Sequence, residues 1–237
     1  KLKPQNTKTY ETGFDLKFLN NRVAIDYTYS YQDANDQIFG VPLSGSTGYG
    51  TLNMNAGRMV TNSHEVVLSG TPITNKNVDW TVVVNFSKVE SVCKELAKGV
   101  DNISLGGFTT PNIRASVGDS YPTIYGEQYV KDAQGRILVE ENPASANYGF
   151  PKAGTFGKIG DVSPDFILGA SSNVMLFKLV SVFAGVEWKS GGHMYSGSNR
   201  LMDLYGTSKR TEDRESSFIY DGYKADGTKN DIARGGT

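Results

Sequence analysis

Cysteine is almost missing from this chain of 237 residues: Cys93 stands alone. A single thiol excludes an internal disulfide framework and a cysteine-rich zinc site. Histidine is equally scarce. His64 and His193 are the only two, and neither has a second ligand at the local spacing that metal sites use. Charge of one sign is lacking as well. With 24 basic and 25 acidic residues there is no electrostatic case for binding nucleic acid. No run approaches the roughly 18 consecutive apolar residues of a membrane-crossing helix. No signal peptide opens the chain and no Met precedes Lys1, so the sequence reads as an internal stretch of a longer polypeptide.

What is present is a rhythm. Six short segments alternate between tight turns and long polar excursions. The second shows the pattern best: Val23, Ile25, Tyr27, Tyr29 and Tyr31 share one face, with Ala24, Asp26, Thr28, Ser30 and Gln32 on the other. Successive strand residues point to opposite sides, so this is an apolar wall backed by a polar one. The expected strands cover about 10–19, 22–32, 59–70, 79–88, 165–172 and 177–189. Turns are expected at Leu19–Arg22, at Thr71–Asp79 and near Asn173, all at one end. The stretches of about 33–57, 88–162 and 191–237 are read as loops at the other. Within the second, Glu127–Val130 and Arg136–Val139 read as a hairpin around Asp132–Gly135.

The fold class this implies is all-β: antiparallel meander strands forming part of a large transmembrane β-barrel, with long extracellular loops. Short turns on one side and long loops on the other are the habit of outer-membrane barrels. A hydrophobic content of 38% and a mean hydropathy of −0.37 fit such a wall, because only alternate strand residues meet lipid. The facing expected is Val23, Ile25, Tyr27, Val82, Val84, Val182 and Val186 toward lipid, with Asp26, Thr28, Asn85 and Glu187 toward the lumen. Tyr29, Tyr31 and Trp188 are placed in the outer aromatic girdle and Trp80 in the inner one. Six strands cannot close a barrel; their edges need pairing from further chain.

Several local patterns then combine. Leu2-Lys3-Pro4 leads to Thr9-Tyr10-Glu11-Thr12-Gly13. Asn55-Ala56-Gly57 precedes Asn62-Ser63-His64-Glu65. Ile124-Tyr125-Gly126 is followed by Asp132-Ala133-Gln134-Gly135-Arg136. Ile159-Gly160-Asp161 precedes Ser163-Pro164-Asp165-Phe166. Glu187-Trp188-Lys189-Ser190 ends in Gly191-Gly192, and Arg210-Thr211 leads to Asp221-Gly222, Asp226-Gly227 and Asn230. In this order the motifs resemble the SusC/RagA family of TonB-dependent outer-membrane transporters, with Gln5 and His64 standing where the family has Glu and Gly.

The resemblance implies a 22-stranded barrel in the outer membrane of a Gram-negative, Bacteroidetes-like bacterium, of which this chain is one fragment without the plug domain and the last strands. It implies nutrient import of glycans or peptides, with a SusD-like surface lipoprotein as lid, TonB acting through the missing N-terminal part, membrane lipid around the wall, and pairing of two transporter–lipoprotein units. The long insertion is the expected contact for the lipoprotein.

A search for chemistry is nearly empty. No catalytic, cofactor-binding or metal residue is assigned, and the chain is read as a non-enzyme without cofactors. Gly45–Gly50 lacks the Lys-Ser or Lys-Thr of a phosphate loop. Asp33/Asp36 and Glu140/Glu141 read as solvated pairs. Tyr49, Tyr121, Tyr125, Tyr148 and Tyr195 either stack on cargo or pack the loops, and substrate-binding residues stay unassigned. The alternative function is a soluble or surface-attached all-β carbohydrate-binding module, which would stay in the aqueous phase where barrel strands need detergent.

Overall fold

A computed structural model describes residues 2–108, 110–213 and 215–235; Arg214, Gly236 and Thr237 of the last expected loop therefore lie outside the described residues. Alternation of apolar and polar side chains produces six long strands: β1 (Asn6–Phe18), β2 (Val23–Pro42), β3 (Thr51–Thr74), β4 (Val78–Leu96), β9 (Pro164–Leu176) and β10 (Val180–Gly191). They form one antiparallel sheet in the order β1-β2-β3-β4-β9-β10. Between β4 and β9 the chain adds β5 (Asn102–Gly107), β6 (Asn112–Ser116), β7 (Thr123–Tyr129) and β8 (Ala153–Asp161), a second sheet in that order. After β10 come the helix α1 (Gly197–Tyr205) and the two-residue pair β11 (Phe218–Ile219) and β12 (Ala233–Arg234).

The chain divides into two compact units. The first comprises Lys1–Gly106, Ile113–Ile124 and Gly160–His193, and so holds the long sheet. The second comprises Gly107–Asn112, Tyr125–Ile159 and Met194–Thr237.

Tight turns close the long sheet at one end. Leu19, Asn20 and Asn21 all take positive φ, a conformation that Asn tolerates. Asn75 makes the β3–β4 turn, its side chain accepting from the amides of Asn77 and Val78. The third turn is Phe177-Lys178, with φ of 52° and 60°, four residues beyond the position expected near Asn173. Asn173 instead sits inside β9, paired with Phe183 and Thr81. Two neighbouring strands hold the chain extended there, and that overrides the local turn preference of Asn. The Phe177 amide donates to the Asn77 carbonyl at 2.6 Å, so the second and third turns touch.

The strands are longer than alternation suggested. β2 runs on to Pro42 and β3 begins at Thr51, which shrinks the excursion expected over 33–57 to the short connection 43–50, with a single 3-10 turn at Gly45–Thr47. Polar residues there stay in the ladder because their backbones pair across it, from Gln37↔Gly57 to Pro42↔Thr51, with register shifts near Gln37 absorbing Asp36. The insertion expected over 88–162 likewise begins only after Leu96.

These extensions carry the buried core of the first unit. Val41, Ala56 and Ile103 form one cluster with Phe39, Met54 and Leu96 around it. Met59, Cys93 and Ala115 form another, flanked by Ala34 and Tyr121. Ile103, Cys93 and Ala115 are at most 1% exposed. Gly57 leaves room for the Phe39 ring, which lies 2.6 Å from where a Cβ would stand. Truncating Ile103→Ala should cost about 2–5 kcal/mol, the range for deleting a buried aliphatic side chain. Hydrogen exchange should then accelerate at residues 97–118 while the β1–β2 ladder stays protected.

Candidate functional site

The register of the long sheet puts each strand's apolar residues in line with its neighbours'. One row reads Phe14, Tyr27, Val66, Phe86, Leu168, Trp188; the next reads Leu16, Ile25, Leu68, Val84, Ala170, Val186. A third reads Phe18, Val23, Gly70, Val82, Ser172, Ala184. The opposite face carries Asp15, Asp26, Val67, Asn85, Gly169 and Glu187 in one row, and Gly13, Thr28, Glu65, Ser87, Ile167 and Lys189 in another. Every residue expected to share the apolar side lies in these rows or, for Val182, in line with Val174 and Trp80.

The apolar face is exposed. Phe14, Leu68 and Val186 are 49%, 43% and 68% accessible, and Trp188 is 57%. Aromatic rings gather toward its loop end. Phe166 lies 5.8 Å from Phe86 and meets Trp188 edge-on at 5.2 Å. Trp80 stands at the turn end, its indole N–H donating to Ser172 Oγ at 2.8 Å. His64 lies in the next row above Val66, its Nδ1 3.0 Å from the Tyr27 hydroxyl, while Tyr29 donates to Asn62 at 2.9 Å. The His64 imidazole is thus a hydrogen-bonded member of an aromatic cluster.

Above this band Arg58 joins three strands, a hub that sequence patterning missed. Its Nε and Nη2 donate to the Asp33 carboxylate at 2.9 and 2.8 Å, and its Nη1 to Glu95 at 3.0 Å. Asp33 was expected to be solvated; a bidentate guanidinium holds it instead, since Arg58 comes from β3 at a long sequence separation that no local pattern reveals. The β4–β9 ladder ends at Ser87↔Ile167. There a cavity of about 530 Å³ opens, lined among others by Asn62, Lys88, Glu90, Ser120, Asp161 and Asp165. Lys88 pairs with Glu90 at 2.7 Å, and Ser120 hydrogen-bonds both Thr123 and Asp161.

In the second unit the motifs 132–136 and 221–230 meet. Asp132 Oδ1 accepts from the amides of Gln134 and Arg136, and Oδ2 from Arg136 Nε at 2.7 Å. The Arg136 guanidinium lies 4.1 Å over the Tyr223 ring, and the amides of Val139 and Tyr223 donate to the Tyr223 and Ile137 carbonyls. The expected hairpin is kept next to its turn, where the bridge Lys131↔Ile137 is flanked by the Asp132 amide donating to the Arg136 carbonyl and the Leu138 amide to the Val130 carbonyl, while Glu127–Tyr129 is drawn into β7 beside β8. Asn230, 6% exposed, donates to the carbonyls of Gly149 and Tyr220. Glu141 accepts from the Ala225 amide at 2.6 Å and Glu140 from Asn142 at 3.0 Å, so this acidic pair, expected to be solvated, helps to fix loops.

Most of the other singled-out residues pack. Cys93 is buried with its thiol toward the Glu95 carbonyl. Tyr125 contacts Phe156, and Tyr195 meets Phe108. Tyr49 is 73% exposed. His193 lies against Gly160, and its amide donates to the Asp161 carbonyl at 2.7 Å. Gly45–Gly50 holds the single 3-10 turn and opens no α-helix. Among the described residues no group of three His, Cys, Asp or Glu could hold a metal ion. No helix among them is long and apolar enough to cross a membrane, which says nothing of strands.

No protein-family model matches the chain. It is 23% identical over 260 residues to TonB-dependent receptor P3 of Formosa agariphila, covering 93% of this chain and 26% of that protein. The chain is similar to TonB-dependent receptors. TonB-dependent receptor P39 of the same organism is 27% identical over 122 residues, covering 52% of the chain and 11% of that protein. Two solved structures share the fold: the RagAB peptide transporter (TM-score 0.61, 18% identity, 79% of this chain and 21% of that one) and the open-open state of the RagAB peptide importer (TM-score 0.62, 18% identity, 81% and 21%). The chain thus spans about a quarter of the length of the first curated relative, and its antiparallel sheet has the fold of a stretch of their barrel wall.

The ionic turn at Asp132 gives a pH test. Desolvation works to raise this carboxyl, but the bonds from the Arg136 and Gln134 amides and the Arg136 guanidinium outweigh it, and the group is held below its ordinary value. A depressed carboxyl contributes stability that is complete above the unfolded value and is lost as pH falls through the folded one. Exchange protection of the Val139 and Tyr223 amides should therefore persist through pH 5 and fade only below the usual carboxylate range. Asp132→Asn should weaken that protection at neutral pH and flatten its acid limb.

Proposed function

We propose that this chain is part of the barrel wall and outer loops of an outer-membrane, TonB-dependent nutrient importer. The carrying observation is the apolar face shared by six in-register strands, backed by a face of Asp15, Asp26, Glu65 and Glu187. A soluble sandwich would bury such a face against a second sheet, yet Val186, Trp188 and Leu68 stand exposed. Exposed apolar surface of this extent calls for a partner or for lipid, and the aromatic rings at its two margins suit the headgroup levels. β3 has 24 residues, against the roughly 9–11 that cross a bilayer, so the strands continue past the membrane as the buried clusters around Met59 and Val41.

In this reading Asp26, Thr28, Asn85 and Glu187 face the lumen, and the stretches at the end opposite the tight turns meet cargo. Binding residues concentrate on loops held by a rigid scaffold. A SusD-like lipoprotein lid seated on the insertion, energy from TonB through a plug outside this sequence, a glycan or peptide cargo, and pairing of two transporter–lipoprotein units complete the proposal. The peptide transporter among the fold neighbours supports it in kind. No covalent chemistry is asked of these residues. Mass spectrometry of ligand co-purified with the intact complex identifies the cargo class.

Facing is the direct test. In the full-length protein, Val84→Arg puts a charge on the apolar face near mid-band and should cost about 2–4 kcal/mol of reversible folding stability in lipid. Thr28→Arg, on the polar face, should cost far less. Equal penalties, or a full-length protein that stays in the aqueous phase without detergent, would reject the membrane-wall reading.

A further inference from the structure

We propose that the turn end of the apolar face holds a seat for one glycerophospholipid, with its phosphate on Arg22 and an acyl chain over Gly70; this rests on the membrane-wall reading above. The row Phe18, Val23, Gly70, Val82 is filled except at Gly70, where a Cβ would meet nothing closer than the Arg22 carbonyl at 4.0 Å. A cavity of about 510 Å³ lies beside this notch, lined by Leu19, Val23, Gly70 and Pro72, with Arg22 among its walls.

Arg22 is held in place by the backbone of β3. Its Nε donates to the Thr71 carbonyl at 3.1 Å and its Nη2 to the Pro72 carbonyl at 2.5 Å, while the Thr71 amide donates back to the Arg22 carbonyl at 2.7 Å. Those carbonyls belong to the irregularity between Gly70 and Ile73, where the register with β4 shifts. Two of the five guanidinium N–H groups are thereby used, leaving three for a ligand. Neutral carbonyls cancel no charge, and among the described residues no carboxylate pairs with Arg22. A fixed cation, un-neutralised, beside an apolar notch suits an amphiphile with an anionic head, and a guanidinium is shaped for phosphate. In a barrel whose tight turns face the periplasm, the leaflet at this level supplies such a molecule.

The test uses the full-length protein, purified in mild detergent, stripped of lipid and titrated with phosphatidylglycerol under native mass spectrometry. Wild type should retain one tightly bound phospholipid. Arg22→Gln should weaken it about tenfold, the scale of losing a charge-assisted contact. Arg22→Lys keeps the charge and should lose less. Gly70→Leu fills the notch while keeping the face apolar, and should expel the lipid although Arg22 is intact. Retention unchanged in Arg22→Gln and Gly70→Leu overturns the seat. So does full displacement by inorganic phosphate, which would make Arg22 a free-anion site. A protein that needs detergent yet retains no phospholipid also refutes the seat, while leaving the wall reading standing. A protein that stays aqueous refutes the wall itself.

Discussion

Everything in the long sheet depends on register. Side chains alternate with a period of two, so sliding one strand by a single residue would move its whole apolar set to the other face. In this sheet a slip would bring Asp26 opposite Phe14, Glu65 opposite Phe86, or Glu187 into the row of Val84 and Ala170. From the Phe14 row to the Phe18 row the pairing carries no irregularity; the shifts lie outside, near Gln37, Arg58, Gly70 and Ser190. The band is regular where the faces differ most, and it bends only where the cost of misalignment is lower. Gly169 adds a local lock on the polar face, since a side chain there would collide with the Asn85 amide that lies across it.

The same strands obey two different rules along their length. Within the apolar band no residue of β1 or β10 is buried, and the stable environment for that face has to come from outside the chain. Further along, β2, β3 and β4 carry a conventional core. Met59 and Cys93 lie on the same side of their strands as Glu65 and Ser87, counting by twos along the ladder, and Ala115 of the insertion closes over them. One sheet thus passes from a wall with an exposed apolar face to a wall with its own packed interior. Arg58, between Asp33 and Glu95, sits within this packed stretch, between the Met59 and Ala56 clusters, and fixes three strands together.

How much of this was legible in the sequence follows from which forces are local. The six strands, their antiparallel order and the sharing of faces were readable, because alternation is written residue by residue. Strand length was not. Asn35, Asp36 and Gln37 look like loop residues, yet the ladder runs through them, with Asn35 opposite Asn6, Gln37 opposite Gly57 and Asp36 bulged out at a φ of 55°. The Phe177-Lys178 turn carries neither Asn nor Gly, whereas Asn173 looked like a turn and is a strand residue with neighbours on both sides. The insertion's core residues Ile103 and Ala115, one in each cluster, gave no periodic signal, since their partners lie on β2, β3 and β4. At the level of sites, the meeting of Arg136 with Tyr223 was foreshadowed only by two motifs falling in order. The Arg22 and Arg58 clamps left no trace, because each joins residues at least 25 positions apart.

Those two arginines show how partner chemistry decides what a buried or tethered cation can still do. Arg58 faces two carboxylates, and its charge is consumed in tying strands together; removing it would leave Asp33 with the Asn35 amide and no cation rather than free a site. Arg22 makes comparable hydrogen bonds, but to carbonyls, which orient a guanidinium without cancelling its charge. Orientation without neutralisation is the condition under which a side chain is both rigid and available. The difference comes from position in the sheet. Arg58 lies amid adjacent strands whose side chains can reach it. Arg22 lies at a turn, where the neighbouring strand offers backbone loosened by the shift at Thr71-Pro72 and little else. A strand irregularity that looks like a defect in pairing is therefore what exposes two carbonyls to hold the cation at the margin of the apolar wall.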